Sequence, residues 1–372
     1  MKASRRHAAA LAGMVTVTVG LSLGLTAGAA SAAGWPAFTG PLHQVTTLAS
    51  TVPGNGDVNP YGMAVVPRST GDLRQGNVLV SNFNDSANVQ GTGTTIVQVS
   101  PGGHVSLFAQ VNPNLPGCPG GVGLTTALSV LRSGWVIVGS LPTENGSISG
   151  AGCLIVLDPW GHVRETFAGH GINGPWDMTA ADFGGTAELF VTNVLNGTVA
   201  ANGATVDRGT VLRLDVQIPA RGLPWISART VIGSGFGETL NAAALVIGPT
   251  GVGLGPDGTL YVADTLASRI AAIPGALFRG SDAGTGYTVS RGGHLNGELG
   301  LVVAPGGDIL TVNSGDGNLV EVTPSGFQIA VRTLDSSGSP AGAGALFGLV
   351  VKPGQRAVYF VDDATNTVDL LH

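Results

Sequence analysis

A short β-meander recurs six times in this chain, and the repeat constrains the fold more than any other sequence feature. Its clearest copy, residues 251–273, contains an apolar strand, the turn Pro256-Asp257-Gly258, a second strand rich in β-branched and aromatic residues, and a loop into a third strand. A single meander of this kind cannot bury both of its faces. The copies must therefore pack against one another as units of a repeating assembly.

The predicted strands follow the same order in every copy. The second strands fall at 78–81, 135–139, 189–192, 260–263, 309–312 and 358–361. The first strand of each copy is rich in small residues and almost free of charge, which is typical of strands crowded around a central axis. A third strand follows each second strand, and the unit length is close to that of a propeller blade.

Only five copies are followed by a fourth strand. These strands fall at 105–109, 163–168, 229–232, 287–289 and 328–333. The segment 45–49 has the same character but lies at the other end of the chain, and its pairing with the last blade would remove the remaining open sheet edges. The sequence thus predicts an all-β, six-bladed β-propeller of four-stranded antiparallel blades, closed by the N-terminal strand.

The fourth copy identifies the kind of propeller. Residues 256–270 read Pro-Asp-Gly-x-Leu-Tyr-Val-Ala-Asp-x-x-x-x-Arg-Ile, which resembles the NHL repeat of six-bladed propellers in the TolB-like superfamily. Such propellers include sugar lactonases of the gluconolactonase/regucalcin type, strictosidine-synthase-like proteins, lyases and binding scaffolds. The resemblance implies the fold and leaves the activity open.

The amino terminus has the features of an export signal. Lys2, Arg5 and Arg6 precede an apolar run over residues 8–27, which ends in Ala30-Ser31-Ala32. This pattern predicts a cleaved signal peptide at 1–32 and a single domain at 33–372, secreted or held in the periplasm or cell envelope of a bacterium. A membrane anchor is the alternative for the apolar run, and Arg5-Arg6 leaves the choice between the Sec and twin-arginine routes open.

The net charge of the chain argues against nucleic acids as partners. Removal of residues 1–32 leaves 14 of the 17 basic residues against 23 acidic ones, so the predicted mature chain has a net charge of −9. Such a chain lacks the basic surface that nucleic acids require. We expect a monomer without a membrane span after signal cleavage, and a partner that is a small molecule, a glycan or a protein.

Cys118 and Cys153 are the two cysteines of the chain. An even pair in an exported protein most often forms a disulfide, and further ligands at metal-binding spacing are absent. Cys118 precedes blade two and Cys153 opens its third strand. Both cysteines therefore fall on one face of the predicted disc, called here the loop face, where the loops between second and third strands also lie.

A short polar residue follows each second strand and lies on the same face. These residues are Asn82, Ser140, Asn193, Asp264, Asn313 and Asp362. They either hydrogen-bond the backbone of the turn or face a ligand. The loops after the second strand are long in the first three blades and short in the last three, which predicts an off-centre cleft.

Two acids stand where the other copies lack a charge, namely Asp177 and Glu298. Both are expected to approach the channel mouth, and Asp264 and Asp362 could reach it from their corners. Carboxylates with asparagine neighbours suit Ca²⁺, and the resemblance to gluconolactonase/regucalcin enzymes implies a metal at this place, held here by Asp177, Glu298 and Asp264. The alternative is that these acids only hydrogen-bond turns and blade-entry amides. Pro60-Tyr61-Gly62 replaces that family's glutamate in blade one.

Three functions fit these observations. The first is a scaffold that binds its ligand on the loop face through residues such as Asp177, Asn82, Asn193 and Asn313. The second is a metal-dependent hydrolase, lactonase or lyase, and the third is a structural envelope component. The chain lacks a Gly-x-Ser-x-Gly elbow and a His-Glu-x-x-His motif.

Overall fold

The computed structural model describes residues 36–144, 146–241 and 244–372. The predicted signal peptide lies outside these residues. The described chain is all-β, apart from one turn of 3-10 helix at Thr265–Ala267. Six antiparallel sheets surround an axis, and the first strand of each sheet contacts that of the next until the sixth meets the first. The predicted six-bladed propeller is confirmed.

Blades one to five take their strands in chain order from the axis outward. Blade one contains β2 (Val58–Val65), β3 (Val78–Asn84), β4 (Gln90–Val99) and β5 (Val105–Gln110). Blade two contains β6 (Leu128–Val130), β7 (Val136–Ser140), β10 (Cys153–Leu157) and β11 (Val163–Ala168), with a small hairpin of β8 (Thr143–Glu144) and β9 (Ser147–Ile148) in its loop. Blade three contains β12 (Pro175–Asp182), β13 (Thr186–Asn193), β14 (Val206–Gln217) and β15 (Trp225–Asn241), whose end also pairs with the short β16 (Leu245–Ile247).

The last three blades are more compact. Blade four contains β17 (Pro249–Leu254), β18 (Leu260–Asp264), β19 (Arg269–Ile273) and β20 (Tyr287–Arg291). Blade five contains β21 (Glu298–Val303), β22 (Ile309–Asn313), β23 (Asn318–Val322) and β24 (Gln328–Thr333). Blade six contains β25 (Leu346–Val351), β26 (Val358–Asp362) and β27 (Thr367–Leu371), and is completed by β1 (Val45–Ser50).

The ring is closed by the N-terminal strand, as predicted. β1 runs antiparallel to β27, with Val45 opposite Leu371. The segment before β1 is also anchored, because Phe38 is buried in the apolar core of blades five and six. The buried carboxylate of Glu321 accepts hydrogen bonds from the Thr39 amide at 2.8 Å and the Thr39 hydroxyl at 2.6 Å. The N-terminal segment thus joins two blades.

Small residues at the start of the first strands are required by the close approach of neighbouring blades. A Cβ atom at Gly62 would lie 2.6 Å from the Thr126 carbonyl oxygen of the next blade, and one at Gly348 would collide with the backbone of Tyr61. Blade three has Asp177 at this position. Its carboxylate instead accepts a hydrogen bond from the Val252 amide of blade four at 3.2 Å.

The predicted disulfide is present. Cys118 and Cys153 are bonded, with a Cα–Cα distance of 5.2 Å, which lies within the usual range for a bridge. Both sulfurs lie in the apolar core of blades one and two. A disulfide is typical of proteins that fold in an oxidising compartment. In the part of the chain that the structure describes, no helix has the length and apolar character needed to cross a membrane.

Candidate functional site

The loop face contains a pocket of about 380 Å³ above the axis of the propeller. One residue from each of five blades lines it, at the repeat position directly before Gly62, Ala127, Asp177, Gly300 and Gly348. These residues are Tyr61, Thr126, Trp176, Leu299 and Phe347. Successive side chains of a strand point in opposite directions. The small residue therefore packs against the next blade, and the residue before it reaches the pocket.

Aromatic rings form the floor of this pocket. Tyr61 stacks on Phe347 with their ring centroids 5.3 Å apart, and Trp176 meets Tyr61 edge-on at 6.1 Å. Phe83 contacts both Tyr61 and Phe347 edge-on. The indole N–H of Trp176 donates a hydrogen bond to the Tyr61 hydroxyl at 2.8 Å, which fixes both rings. The floor is a rigid apolar surface.

The rim of the pocket is polar and carries one acid among its described lining residues. Asn59, Gln90, Asn241 and Ser314 line it together with Asp363. Oδ2 of Asp363 accepts a hydrogen bond from the Asn59 side-chain amide at 3.1 Å, whereas its Oδ1 is buried and has no hydrogen-bond partner. Burial, and secondarily the charge of Asp362, raises the pKa of Asp363 to about 8. A carboxyl oxygen without a partner in such a place favours a ligand that can donate a hydrogen bond to it.

Below the aromatic floor, a second cavity of about 320 Å³ follows the axis between the first strands. Tyr61 lines both cavities and separates them. Asp177 lines the lower one, and enclosure by protein raises its pKa to about 7 despite hydrogen bonds from the Met178 and Val252 amides. The negative charge of Asp177 in turn adds to the burial that raises the pKa of Tyr61.

The structure brings Glu298 and Asp264 together but away from both cavities. Both contact Arg269: Asp264 pairs with its guanidinium at 2.8 Å, and Glu298 accepts a hydrogen bond from its backbone amide at 2.7 Å. Burial raises the pKa of Glu298 to about 8, and the charge of Asp264 contributes. Neither acid is among the residues that line the pocket or the channel. Their expected approach to the channel mouth is therefore not seen, because both side chains turn into the wall of blade four.

The remaining corner residues hydrogen-bond the backbone. Asn82 donates to the Thr51 carbonyl, Asn193 accepts from the Asn173 amide, Asn313 accepts from the Asn296 amide, and Asp362 accepts from the Thr365 amide. All four are buried. Asn193, Asn313 and Asp362 each end a second strand, whereas β3 continues past Asn82 to Asn84. These contacts stabilise the loop face.

Within residues 36–144, 146–241 and 244–372, no three His, Cys, Asp or Glu side chains are grouped closely enough to hold a metal ion. Asp177 lies in the channel, and Glu298 and Asp264 lie in the wall. Ca²⁺ binding by these three acids stays a prediction.

Sequence reasoning missed Asp363 and the aromatic floor. The signal for the floor was present, because the residue before each first-strand opening is Tyr61, Thr126, Trp176, Thr250, Leu299 and Phe347 in the six copies. Three aromatic residues at one repeat position indicate a shared surface. Asp363 directly follows Asp362 in the same turn. Only the geometry of that turn directs Asp362 to the Thr365 amide and Asp363 to the pocket.

The fold has many solved counterparts. A gluconolactonase from Xanthomonas campestris superposes with a TM-score of 0.55 at 14% identity, over 88% of each chain. An aldose sugar dehydrogenase from Streptomyces coelicolor, solved with PQQ, gives 0.54 at 16% identity, over 88% of this chain and 98% of the other. A streptogramin B lyase gives 0.51 at 16% identity, over 89% and 98%.

No protein-family model matches the chain, and neither does any curated protein sequence. At these identities the structural likeness shows a common fold alone. That fold serves lactonases, lyases and sugar dehydrogenases.

Proposed function

We propose that this protein binds a small organic molecule in the loop-face pocket. The ligand places an apolar body on the aromatic floor and a hydrogen-bond donor, such as a hydroxyl or an amine, against Asp363. The unpaired Oδ1 of Asp363, on the polar rim of a pocket with an aromatic floor, carries this proposal.

The dimensions and lining of the pocket support it. A volume of about 380 Å³ falls within the roughly 300–1,000 Å³ of small-molecule sites, which are mostly apolar with a few polar groups that orient the ligand. The interlocked rings of Tyr61, Trp176 and Phe347 need little rearrangement to receive a ligand. Such preorganisation lowers the entropic cost of binding.

A thermal-shift screen with sugar lactones, aromatic amines and other small ring compounds tests the proposal, followed by calorimetry on the hits. Phe347→Ala removes part of the floor, and Asp363→Asn removes the carboxylate. Each should weaken binding about tenfold, a loss of about 1.4 kcal/mol. Asp207→Asn, at an exposed loop-face acid, is the control and should bind normally. Hits that bind equally well to Phe347→Ala and Asp363→Asn would contradict the proposal.

The second candidate function is catalysis at the same pocket. An acid whose pKa is raised to about 8 can exchange protons near neutral pH, as general acid–base catalysis requires. A screen for lactone hydrolysis, ester hydrolysis and lyase activity tests it. Asp363→Asn should lower any activity about a hundredfold or more, whereas Asp207→Asn should leave it unchanged.

Metal analysis of the purified protein separates the metal-dependent form of this function from the metal-free one. Bound Ca²⁺ that is lost in Asp177→Asn and in Glu298→Gln would support the predicted metal site. Activity that survives chelation would assign the chemistry to Asp363 without a metal.

A further inference from the structure

The face opposite the pocket carries an unusual set of exposed side chains. This face, called here the turn face, consists of the turns that join first to second strands and third to fourth strands: 66–77, 100–104, 131–135, 158–162, 183–185, 218–224, 255–259, 274–286, 304–308, 323–327 and 352–357. Six exposed aromatic residues lie in these turns or at the first strand residue after them: Trp160, Phe183, Trp225, Phe278, Tyr287 and Phe327.

The segregation of these aromatic residues is complete within the described chain. No other described Trp, Tyr or Phe is exposed, and the loop face contributes none. Phe278 is 89% exposed and Phe183 is 60% exposed, so neither can stabilise the core by burial. Single exposed apolar residues are common on soluble proteins, but six aromatic residues confined to one face of blades two to five indicate a contact surface.

Basic side chains occupy the same face. Exposed arginines lie in its turns at Arg68, Arg74, Arg132, Arg221 and Arg356. The exposed acids in these turns are Asp72, Asp257 and Asp282. The turn face therefore has an excess of positive charge, although the chain as a whole has a net charge of −6.

We propose that the turn face docks on the surface of a lipid bilayer that contains anionic lipids. Aromatic rings partition into the headgroup region of a bilayer, with their apolar bodies buried and their polar edges hydrated. Arginine forms paired hydrogen bonds with phosphate, and a cationic surface is attracted to anionic headgroups. The excess of exposed arginine therefore favours an anionic bilayer as the partner of the turn face.

The spacing of the aromatic residues favours the same partner. The six side chains belong to five turns in four blades and do not converge on one pocket. A fluid bilayer can receive each ring separately. Docking in this orientation directs the loop-face pocket away from the lipid, so that the pocket stays open to soluble ligands. The inference does not depend on the ligand proposed for that pocket.

Vesicle co-sedimentation tests the inference. The full chain and the chain without residues 1–32 are both used, because the apolar run of the amino terminus could itself bind lipid. Binding to phosphatidylcholine vesicles that contain phosphatidylglycerol should exceed binding to pure phosphatidylcholine at least tenfold, and added salt should weaken it. In the chain without residues 1–32, the triple variant Trp160→Ser, Phe278→Ser, Phe327→Ser should lose at least tenfold in affinity.

The matched control is Val199→Ser with Leu266→Ser, at exposed apolar residues of the loop face, and it should bind like the wild type. Fluorescence from Trp160 and Trp225 should shift to the blue on binding and be quenched by brominated lipids. Equal binding by the triple variant and the control, or no preference for anionic vesicles, would overturn the inference. A concentration-dependent dimer that the triple variant abolishes would assign the face to a second copy of the chain instead.

Discussion

Tyr61 connects the pocket, the channel and the blade-one entry through one side chain. Its hydroxyl accepts the indole N–H of Trp176 at 2.8 Å in a buried site. Tyr61→Phe leaves that donor without a partner, which should cost about 1–3 kcal/mol in the free energy of unfolding. Urea denaturation measures the effect, with Tyr287→Phe at an exposed tyrosine as the control. Equal stability of the two variants would show that Trp176 finds another acceptor.

The residue scale is also where prediction from sequence was weakest. The alignment of the repeats singled out Asp177 because the other five copies have glycine or alanine at that position, and the structure places Asp177 on the lining of the channel. It could not show that Glu298 would turn toward the Arg269 amide. Side-chain direction at a strand entry depends on the twist and on the bulges next to Glu298 and Leu346, and these do not follow from a pattern of apolar residues.

At the scale of elements, the N-terminal strand β1 closes the ring by pairing with β27. Deletion of residues 33–50 removes β1 and the buried Phe38, and leaves the Glu321 carboxylate without its Thr39 donors. The exposed edge of blade six should then cause aggregation or loss of cooperative unfolding. Size-exclusion chromatography and thermal melts measure the outcome. A monomeric deletion protein with an unchanged melting curve would contradict it.

The disulfide is a second stabilising element. It closes a loop of 35 residues, and in the chain-entropy model such a loop is worth about 3–4 kcal/mol, less any strain. Cys118→Ser with Cys153→Ser should lower the free energy of unfolding by about this amount. Hydrogen exchange should increase first in residues 112–123, which the bridge anchors. Uniform loosening of all six blades would show that the bridge has no local role.

Most elements could be predicted because each blade alternates apolar strands with glycine turns, and the predicted fourth strands at 163–168 and 328–333 agree with β11 and β24 to the residue. The extension of β15 to Asn241 and its pairing with β16 could not be predicted from the sequence. Pairing beyond the blade depends on how the loop-face segments pack against each other, which is a tertiary effect.

At the scale of the whole molecule, buried acids predict a dependence of stability on pH. Burial raises the pKa of Asp177 from 3.8 to about 7 and that of Glu298 from 4.5 to about 8. The native state therefore holds these protons more tightly than the unfolded chain. Their contribution to stability is full below the unfolded values and is lost as the pH rises through the folded values.

The melting temperature should consequently be lower at pH 9 than at pH 6. For Asp177 the loss over the whole shift, from pH 3.8 to about pH 7, is at most about 4 kcal/mol, of which about 1.4 kcal/mol falls above pH 6. Asp177→Asn should flatten the profile, and Asp207→Asn at an exposed acid should not. Melts followed by circular dichroism across this range measure both. A profile that is flat in the wild-type protein would show that water or counter-ions reach these carboxylates.

The pairing of Val45 with Leu371 also sets the order in which the molecule can be assembled during synthesis. Residues 45–50 leave the ribosome before every other strand of the six blades, but their partner strand β27 emerges only after blades one to five. The blades can form locally one after another, whereas the seam joins segments more than 300 residues apart in sequence and closes only at the end. Until then β1 and blade six each have a free edge that another chain could occupy. A nascent chain of this protein is therefore most vulnerable to mispairing just before β27 appears.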